Sequence, residues 1–234
     1  MSQGCAGRAI TPGILGSLNE DPSTNIKEVI ASYVLLRTYT EFKPQNESLF
    51  ERVYAENGGI GIVYGGFVLT VDHVVSSWSV HVDTPYGSAT IPTKEKINEK
   101  TYLGNIPLEE IVNNKVYDVA VFRAPSDFHG QKYPFELGDS SKLDYGHPIF
   151  LIGNPRLQGY NVREGIVSSP VRIIDGREGF FISAPVTAGD SGTAVVDRRT
   201  FELLGLCSQK DRDTTTGIVI PINPFKPYLR RQVA

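Results

Sequence analysis

The chain has 234 residues, of which 40% are hydrophobic, which is enough to bury one sizeable core or two smaller cores packed together. Its 23 Lys and Arg residues nearly balance its 26 Asp and Glu residues, so the net charge of -3 excludes the basic fields that bind nucleic acid or anionic membranes. The apolar runs are short and the first residues lack the apolar core of a signal peptide, so we expect neither a membrane span nor export, and favour an intracellular location.

The first segment, residues 1–25, is rich in Gly, Pro, Ser and Asn and is predicted to be a tail outside the globular part. Asn25 is predicted to cap a short helix, IKEVIASY, which leads into the strand VLLRTYT. The globular part is therefore expected to start near residue 26.

The rest of the chain consists of short segments rich in Val, Ile, Phe and Tyr, separated by turn residues. These segments are GIGIVYGGFVLTV, SVHVDT, SATIPT, VYDVAVFRA, HPIFLIGN, GIVSSPVRII, GFFISAPV, TAVVD, ELLGLCS and GIVIPI. Regularly spaced short strands predict an all-β sandwich or barrel. A short C-terminal helix is predicted to start at Asn223 and to pack Phe225, Tyr228 and Leu229 onto the β structure.

Ser191 is a candidate nucleophile because it lies in TAGDSG, directly after the predicted strand GFFISAPV. Glycines permit a tight turn that exposes backbone N–H groups. A serine hydroxyl needs a base to remove its proton, and the oxyanion that follows needs fixed donors, for which the N–H groups of Gly189 and Ser191 are candidates. So short a motif also occurs in plain polar turns, and the interpretation therefore depends on finding a base.

Four histidines are candidate bases. His73 follows the apolar segment GFVLTVD and precedes VVSS, so it lies where a strand ends and a turn or short helix begins. His81 and His129 have polar surroundings, and His147 begins a strand in GHPIF, where a structural role is the simpler interpretation. His73 is therefore the preferred base.

Asp118 opens the apolar strand DVAVF, where a charge needs a hydrogen-bonding partner. Held against His73, it would fix the tautomer whose other nitrogen accepts the serine proton. A carboxylate that caps a strand end or turn is the structural alternative.

Taken in the order His73, Asp118 and Ser191, these segments resemble trypsin-like serine proteases. GGIGIVYGGFVLTVDHVV is similar to the histidine region of that family, YDVAVFRAP to its aspartate strand and TAGDSGTAVV to its nucleophile loop. The likeness is strongest for the HtrA/Deg group, which has segments similar to LGDSSKLDYGHPIFLIGNP, VREGIVSS and GIVIPI. The resemblance covers roughly residues 26–222.

This resemblance implies an all-β fold of two six-stranded antiparallel barrels with a short helix at each end. It assigns residues 26–128, with His73 and Asp118, to the first barrel. Residues 129–234, with Ser191 and the C-terminal helix, form the second. The active site is expected in the cleft between the barrels.

The resemblance also implies the chemistry. Ser191 attacks a peptide carbonyl, His73 transfers the proton and Asp118 orients His73. The N–H groups of Gly189 and Ser191 hold the oxyanion. A protein or peptide substrate is expected, with neither a metal nor an organic cofactor, with no nucleic-acid or membrane partner, and with the oligomeric state left open.

The substrate pocket is expected to be apolar. Pro185 occupies the place where relatives that favour Lys or Arg carry an acidic residue. Val186, Leu206 and Ile218 would add apolar walls, so the residue before the cleaved bond is predicted to be apolar.

Three features depart from the family pattern. Thr193 stands where many relatives have a second glycine, Asp190 replaces the Asn common in HtrA proteins, and no PDZ domain follows in this sequence. No basic residue precedes an IVGG-like start, whose new amine would pair with Asp190 in a trypsin-type zymogen. We therefore expect no activation of that kind and a different partner for Asp190.

Three alternatives stay open. The chain could be a catalytically idle protease fold that binds peptides, although such proteins commonly lack a triad residue, or a dedicated self-processing protease of viral type. Cys207 is an alternative nucleophile, although its segment LLGLCS resembles the strand that lines the substrate cleft. Cys5 and Cys207 are not expected to form a disulfide, because Cys5 lies in the predicted tail.

Overall fold

The first half of the chain folds into a β-sheet with one helix before it. A computed structural model describes residues 22–46, 51–76, 79–84, 87–174, 176–210 and 216–229. The elements are α1 (Pro22–Ala31), β1 (Tyr33–Pro44), β2 (Val53–Tyr64), β3 (Phe67–Thr70), α2 (Asp72–Val75), β4 (Val80–Thr84), β5 (Gly87–Ile91), β6 (Thr93–Leu103), β7 (Ile106–Pro107), β8 (Glu109–Asn114) and β9 (Val119–Arg123). Seven strands form one antiparallel sheet in the order β7-β6-β1-β2-β3-β9-β8, and β4 pairs with β5 in a separate hairpin.

The second half forms a closed barrel. Its elements are β10 (Pro148–Gly153), β11 (Asn161–Ile174), β12 (Arg177–Ile182), β13 (Ala194–Asp197), β14 (Leu203–Lys210), β15 (Gly217–Pro221) and α3 (Lys226–Leu229), with 3-10 turns at Ser140–Lys142, Pro155–Leu157 and Asn223–Phe225. The six strands close in the order β10-β11-β12-β15-β14-β13, and every pair is antiparallel. Among the described helices, none has the length and apolar character needed to cross a bilayer.

The predicted fold class is confirmed: two antiparallel β units carry a short helix at each end, and the first unit is a seven-stranded sheet. The Asn25 cap is wrong, because α1 already begins at Pro22, whose fixed φ and missing N–H suit the first helical turn. Most of the predicted tail, residues 1–21, lies outside the described residues. At the other end, Phe225 is fully buried and Tyr228 and Leu229 pack against the core, as predicted.

Strand β1 shows why the sequence forms this sheet. Its buried and exposed positions alternate over most of its length, because successive side chains of a strand point to opposite faces. Leu36 and Phe42 enter the core, while Leu35 and Tyr39, between or beside them, face outward. Hydrophobic residues with a period of two therefore fix which face of β1 packs inward.

The sheet and the barrel are packed together by one continuous core. This core joins Ile60 and Leu69 of the sheet to Ile152 and Leu206 of the barrel, while a second core fills the barrel interior. Tyr33 at the start of β1 connects the two units, because its hydroxyl donates to the Ile152 carbonyl oxygen at 2.6 Å and accepts from the Ala194 N–H at 2.9 Å. This packing fixes the position of one unit against the other.

Candidate active site

His73 lies in α2, the single helical turn that follows the fully buried strand β3. Val74 and Val75 are buried and anchor the turn, while the His73 side chain remains 42% exposed. A Cβ atom at Gly59 would lie 2.5 Å from Val74 Cγ1, so glycine in β2 allows this turn to approach the sheet. The imidazole is therefore held on a rigid support and is open to solvent on one side.

Asp118 lies immediately before β9 in a left-handed backbone conformation, with φ of +54°. This conformation is rare for a residue other than glycine and is found where the surrounding structure imposes it. The side chain of Asn114 accepts hydrogen bonds from the N–H groups of Val116 and Tyr117 and so shapes the preceding turn. As a result the Asp118 carboxylate, 3% exposed, faces His73 instead of solvent.

The Asp118 carboxylate is surrounded by donors. His73 Nδ1 lies 3.0 Å from Oδ1 and 3.1 Å from Oδ2, and the His73 backbone N–H also donates to Oδ1 at 3.1 Å. Ser208 Oγ donates to Oδ2 at 2.6 Å, and an Arg177 guanidinium nitrogen lies 3.4 Å from the same oxygen. Burial raises the pKa of this carboxyl, but the hydrogen bonds from His73 and Ser208 and the attraction of His73 outweigh it and lower the pKa below its usual value.

Ser191 lies in the loop between β12 and β13. Its Oγ donates to the Ser208 carbonyl oxygen at 2.7 Å, and within the described residues no hydrogen bond joins it to the His73 ring. Ser208 on β14 therefore contacts both sides of the site, Asp118 through its hydroxyl and Ser191 through its carbonyl. Sequence reasoning missed Ser208, although a serine after the apolar run LLGLC was a usable signal for a buried polar contact.

His73, Gly189 and Ser191 meet in one open cleft between the sheet and the barrel. Its lining residues are Asn57, Gly58, Gly59, His73, Val74, Arg156, Ala188, Gly189 and Ser191. Gly189 has φ of +95°, which suits glycine. The Ala188 carbonyl oxygen accepts from the Arg156 N–H at 2.6 Å. Because the C=O and N–H of a trans peptide point in opposite directions, the Gly189 N–H faces away from that contact.

The other end of the nucleophile loop is fixed by two unusual positions. Gly192 has φ of +83°, and a Cβ atom there would lie 2.0 Å from the Ile60 carbonyl oxygen, so the loop passes too close to β2 for any side chain. Thr193 is fully buried, and its hydroxyl donates to the Asp190 carbonyl oxygen at 2.6 Å. The threonine that departs from the family pattern therefore stabilises the turn around Ser191.

The four predicted pocket residues are not among those that line the cleft. Pro185 is exposed, Val186 packs into the barrel core, and Ile218 pairs with a residue of β12. Leu206 has no exposed surface and belongs to the core shared by the sheet and the barrel. Their role in substrate binding stays a prediction.

The remaining candidate groups lie elsewhere. His147 Nε2 contacts Asp197 Oδ2 at 2.7 Å, and His81 contacts the Ser79 hydroxyl at 2.8 Å on the exposed β4–β5 hairpin. Cys207 is a fully buried free thiol, whose pKa is raised by burial and by the negative charge of Asp190, so the reactive thiolate is suppressed. In the parts of the chain that the structure describes, no three His, Cys, Asp or Glu residues are grouped to hold a metal ion.

Comparison with known proteins identifies relatives of this chain. A family model described as the trypsin-like peptidase domain matches residues 54–206. The serine protease HtrA-like protein of Staphylococcus epidermidis is 33% identical over 189 residues, which cover 72% of this chain and 29% of that protein. A protein of the same name from Staphylococcus aureus is 32% identical over 149 residues, covering 57% of this chain and 19% of that one. The chain thus spans less than a third of the length of these curated relatives.

Solved structures share the fold. The HtrA-type protease AlgW with a decapeptide matches with a TM-score of 0.58 and 19% sequence identity, over 90% of this chain and 66% of that one. The serine endoprotease from Yersinia pestis matches with a TM-score of 0.57 and 19% identity, over 92% of this chain and 67% of that one. The family model covers more than half of the chain, from β2 into β14. The chain therefore belongs to the trypsin-like peptidase family.

Proposed function

We propose that this chain is a serine endopeptidase with Ser191 as nucleophile, His73 as general base and Asp118 as the carboxylate that orients His73. The observation that carries the proposal is the hydrogen bond between His73 Nδ1 and Asp118 Oδ1, 3.0 Å, beside Ser191 in a shared cleft. It leaves His73 Nε2 as the ring nitrogen available to the nucleophile. The two halves, residues 26–128 and 129–234, contribute the base and the nucleophile respectively.

Catalysis begins when Ser191 Oγ leaves the Ser208 carbonyl and turns towards His73. Rotation about one side-chain bond moves Oγ, and one neutral hydrogen bond replaces another, so the two positions are close in free energy. His73 takes the hydroxyl proton as Oγ attacks the peptide carbonyl carbon. It then gives that proton to the leaving amine, and a water activated by His73 hydrolyses the acyl-enzyme.

The N–H groups of Gly189 and Ser191 stabilise the negative charge that develops on the substrate carbonyl oxygen. Support comes from the positive φ of Gly189 and from the Ala188 carbonyl, which is held by Arg156 and so turns the Gly189 N–H the other way. Donors that are already oriented need no rearrangement during the reaction, and each typically contributes about 10²- to 10³-fold to turnover.

The substrate is proposed to be a protein or peptide with an apolar residue before the cleaved bond. The related HtrA-type protease AlgW has been solved with a tripeptide and with a decapeptide. A Cβ atom at Gly217 would lie 2.4 Å from Val186 Cγ2 and 2.9 Å from Ile182 Cγ1, so branched apolar side chains fill the space beside β15. Apolar surroundings of this kind favour an apolar residue over a charged one before the cleaved bond.

Hydrolysis of labelled casein by the Ser191→Ala variant tests the proposal. Turnover is expected to fall by roughly 10⁴-fold or more, with an unchanged circular dichroism spectrum, because only the nucleophile is removed. His73→Ala should cost about as much, and the double variant little more, because nucleophile and base act as one unit.

Cys207→Ser is the matched control, since it alters the other candidate nucleophile, and it is expected to retain most of the activity. A folded Ser191→Ala variant that cleaves casein at the parent rate contradicts the proposal. A parent protein that binds casein without cleaving it would identify an idle peptide-binding module instead.

A further inference from the structure

Asp190, the residue directly before Ser191, is a carboxylate with no solvent exposure. Removing a charge from water is costly unless an opposite charge and hydrogen bonds compensate for it. Asp190 must therefore have a cation within the protein, and this cation stands next to the nucleophile.

Arg163 of β11 is that cation. Its two terminal nitrogens meet the two carboxylate oxygens of Asp190, at 2.6 Å to Oδ1 and 2.8 Å to Oδ2. The Arg163 side chain is 15% exposed, so most of the pair is shielded from water. This two-point geometry is the strongest form of the arginine–carboxylate contact and fixes direction as well as distance.

The neighbouring strand leaves room for this pair at one residue, Gly153 of β10. A Cβ atom at Gly153 would lie 2.1 Å from both Arg163 Nη2 and Asp190 Oδ1. The side chains of Arg163 and Asp190 therefore occupy the space that any larger residue at position 153 would need. Gly153 thus provides the space in which Arg163 and Asp190 make their contact.

Asp190 in turn holds the loop that carries Gly189 and Ser191. Its Oδ2 accepts from the Thr187 N–H at 2.8 Å and from the Thr187 hydroxyl at 3.1 Å. Its backbone N–H donates to the Thr187 carbonyl, and its own carbonyl accepts from the Thr193 N–H and hydroxyl. Anchoring Asp190 therefore fixes the loop from residue 187 to residue 193.

We propose that Arg163 is a positioning residue for catalysis, which neutralises Asp190 from within the barrel and so holds the Gly189 and Ser191 N–H groups in place for the oxyanion. This inference rests on the peptidase function proposed above. Without Arg163, the buried carboxylate can regain hydration only if the loop moves outward, which displaces the oxyanion donors. Because Arg163 is part of β11, the loop forms without cleavage of the chain.

The test compares Arg163→Met with the parent and with Arg198→Met in the full chain. Arg198 is the matched control, because it pairs with Glu164 at 3.1 Å, next to Arg163 in sequence, but on the exposed face of the barrel. For each protein, kcat and KM on labelled casein, the rate of labelling by a fluorophosphonate and the thermal unfolding midpoint are measured. Assays are run well below each midpoint, so that every variant is folded.

We expect Arg163→Met to lower kcat by about 10²- to 10³-fold, the effect of losing an oxyanion donor, while KM changes by less than about threefold. Fluorophosphonate labelling should slow by a similar factor, because it also places an oxygen in the oxyanion site. Arg163→Lys, which keeps the charge but makes a single contact, should have an intermediate kcat. Arg198→Met should match the parent.

If Arg163→Met does not fold, the double variant Arg163→Met/Asp190→Asn is tested in its place. This variant removes both charges and so leaves no buried charge without a partner. Its kcat is expected to stay at least about tenfold below the parent, with KM preserved. A parent-like kcat in either folded variant overturns the role of Arg163. Failure of the peptidase proposal is a separate result, since the parent itself would then show no turnover that depends on Ser191.

Discussion

Ser208→Ala is the change whose size follows most directly from the site. Ser208 is 1% exposed, and its hydroxyl donates to the charged Asp118 Oδ2 at 2.6 Å. A hydrogen bond to a charged group contributes about 1.5 to 3 kcal/mol, so the free energy of unfolding at pH 7 should fall by that amount. If about half of it is expressed in the orientation of His73, kcat falls about 4- to 13-fold. The backbone carbonyl that contacts Ser191 is retained in the variant.

The assay is urea unfolding at several pH values, with Ser32→Ala as the control. Ser32 Oγ is equally buried and also donates at 2.6 Å, but to the neutral Val29 carbonyl, so its loss should cost about 1 kcal/mol at every pH. The pKa of Asp118 is lowered on folding, so the stability that its ionised form provides is present above its unfolded value of about 3.9 and is lost as the pH falls through the folded value. The effect of Ser208→Ala should therefore shrink in acid. Equal, pH-independent losses for both variants, with unchanged casein cleavage by Ser208→Ala, would refute the reasoning.

Two further predictions concern the nucleophile loop and the charge around Asp118. Gly192→Ala places a Cβ atom 2.0 Å from the Ile60 carbonyl oxygen, so it should lower the unfolding midpoint and reduce casein cleavage at least about tenfold. Gly146→Ala, with a similar φ of +79° but no atom near its Cβ, should cost only about 1 to 2 kcal/mol and leave activity intact; equal losses would contradict the steric argument. Arg177→Met removes a cation 3.4 Å from the Asp118 carboxylate, so the pKa of this carboxyl should rise and acid unfolding should begin at a higher pH than in the parent. An unchanged midpoint of acid unfolding would show that this cation does not act on Asp118.

The fold and the three candidate catalytic residues were predictable because their signals are local. The strand pattern of β1 and the glycine and proline turns indicate an all-β chain before any contact is known. His73 lies in the helical turn that follows the apolar strand β3, and Ser191 lies in the Gly-containing loop that follows the apolar strand β12. For such residues, neighbours in sequence carry most of the positional information.

Contacts that form only when the barrel closes could not be predicted from neighbouring residues in the sequence. The partner of Asp190 was expected to exist, but Arg163 lies 27 residues earlier and meets it only because Gly153 on the neighbouring strand β10 leaves space. Ser208 likewise meets Asp118 across 90 residues. Such pairs depend on strand register and on the docking of sheet against barrel, which short sequence windows do not contain.

The residues predicted to form the substrate pocket do not line the observed cleft. For Leu206 the reason is its burial where the sheet packs against the barrel. Leu206 has the apolar character expected of a pocket wall, but its position on β14 places it in the core shared by sheet and barrel. The positive φ of Asp118 was equally invisible in the sequence, because it results from the turn after β8. The sequence shows that Leu206 is apolar and that Asp118 is charged, but it does not show the direction in which either side chain points.

The site at which a serine-directed fluorophosphonate labels the protein is the most direct test of Ser191 as the nucleophile. One adduct is expected, on Ser191, and is mapped by mass spectrometry of the digested protein. Labelling should disappear in Ser191→Ala and slow sharply in His73→Ala, while Cys207→Ser labels like the parent. An adduct on another residue, or casein cleavage by the parent with Ser191 unlabelled at saturating probe, would contradict the assignment of Ser191 as the nucleophile.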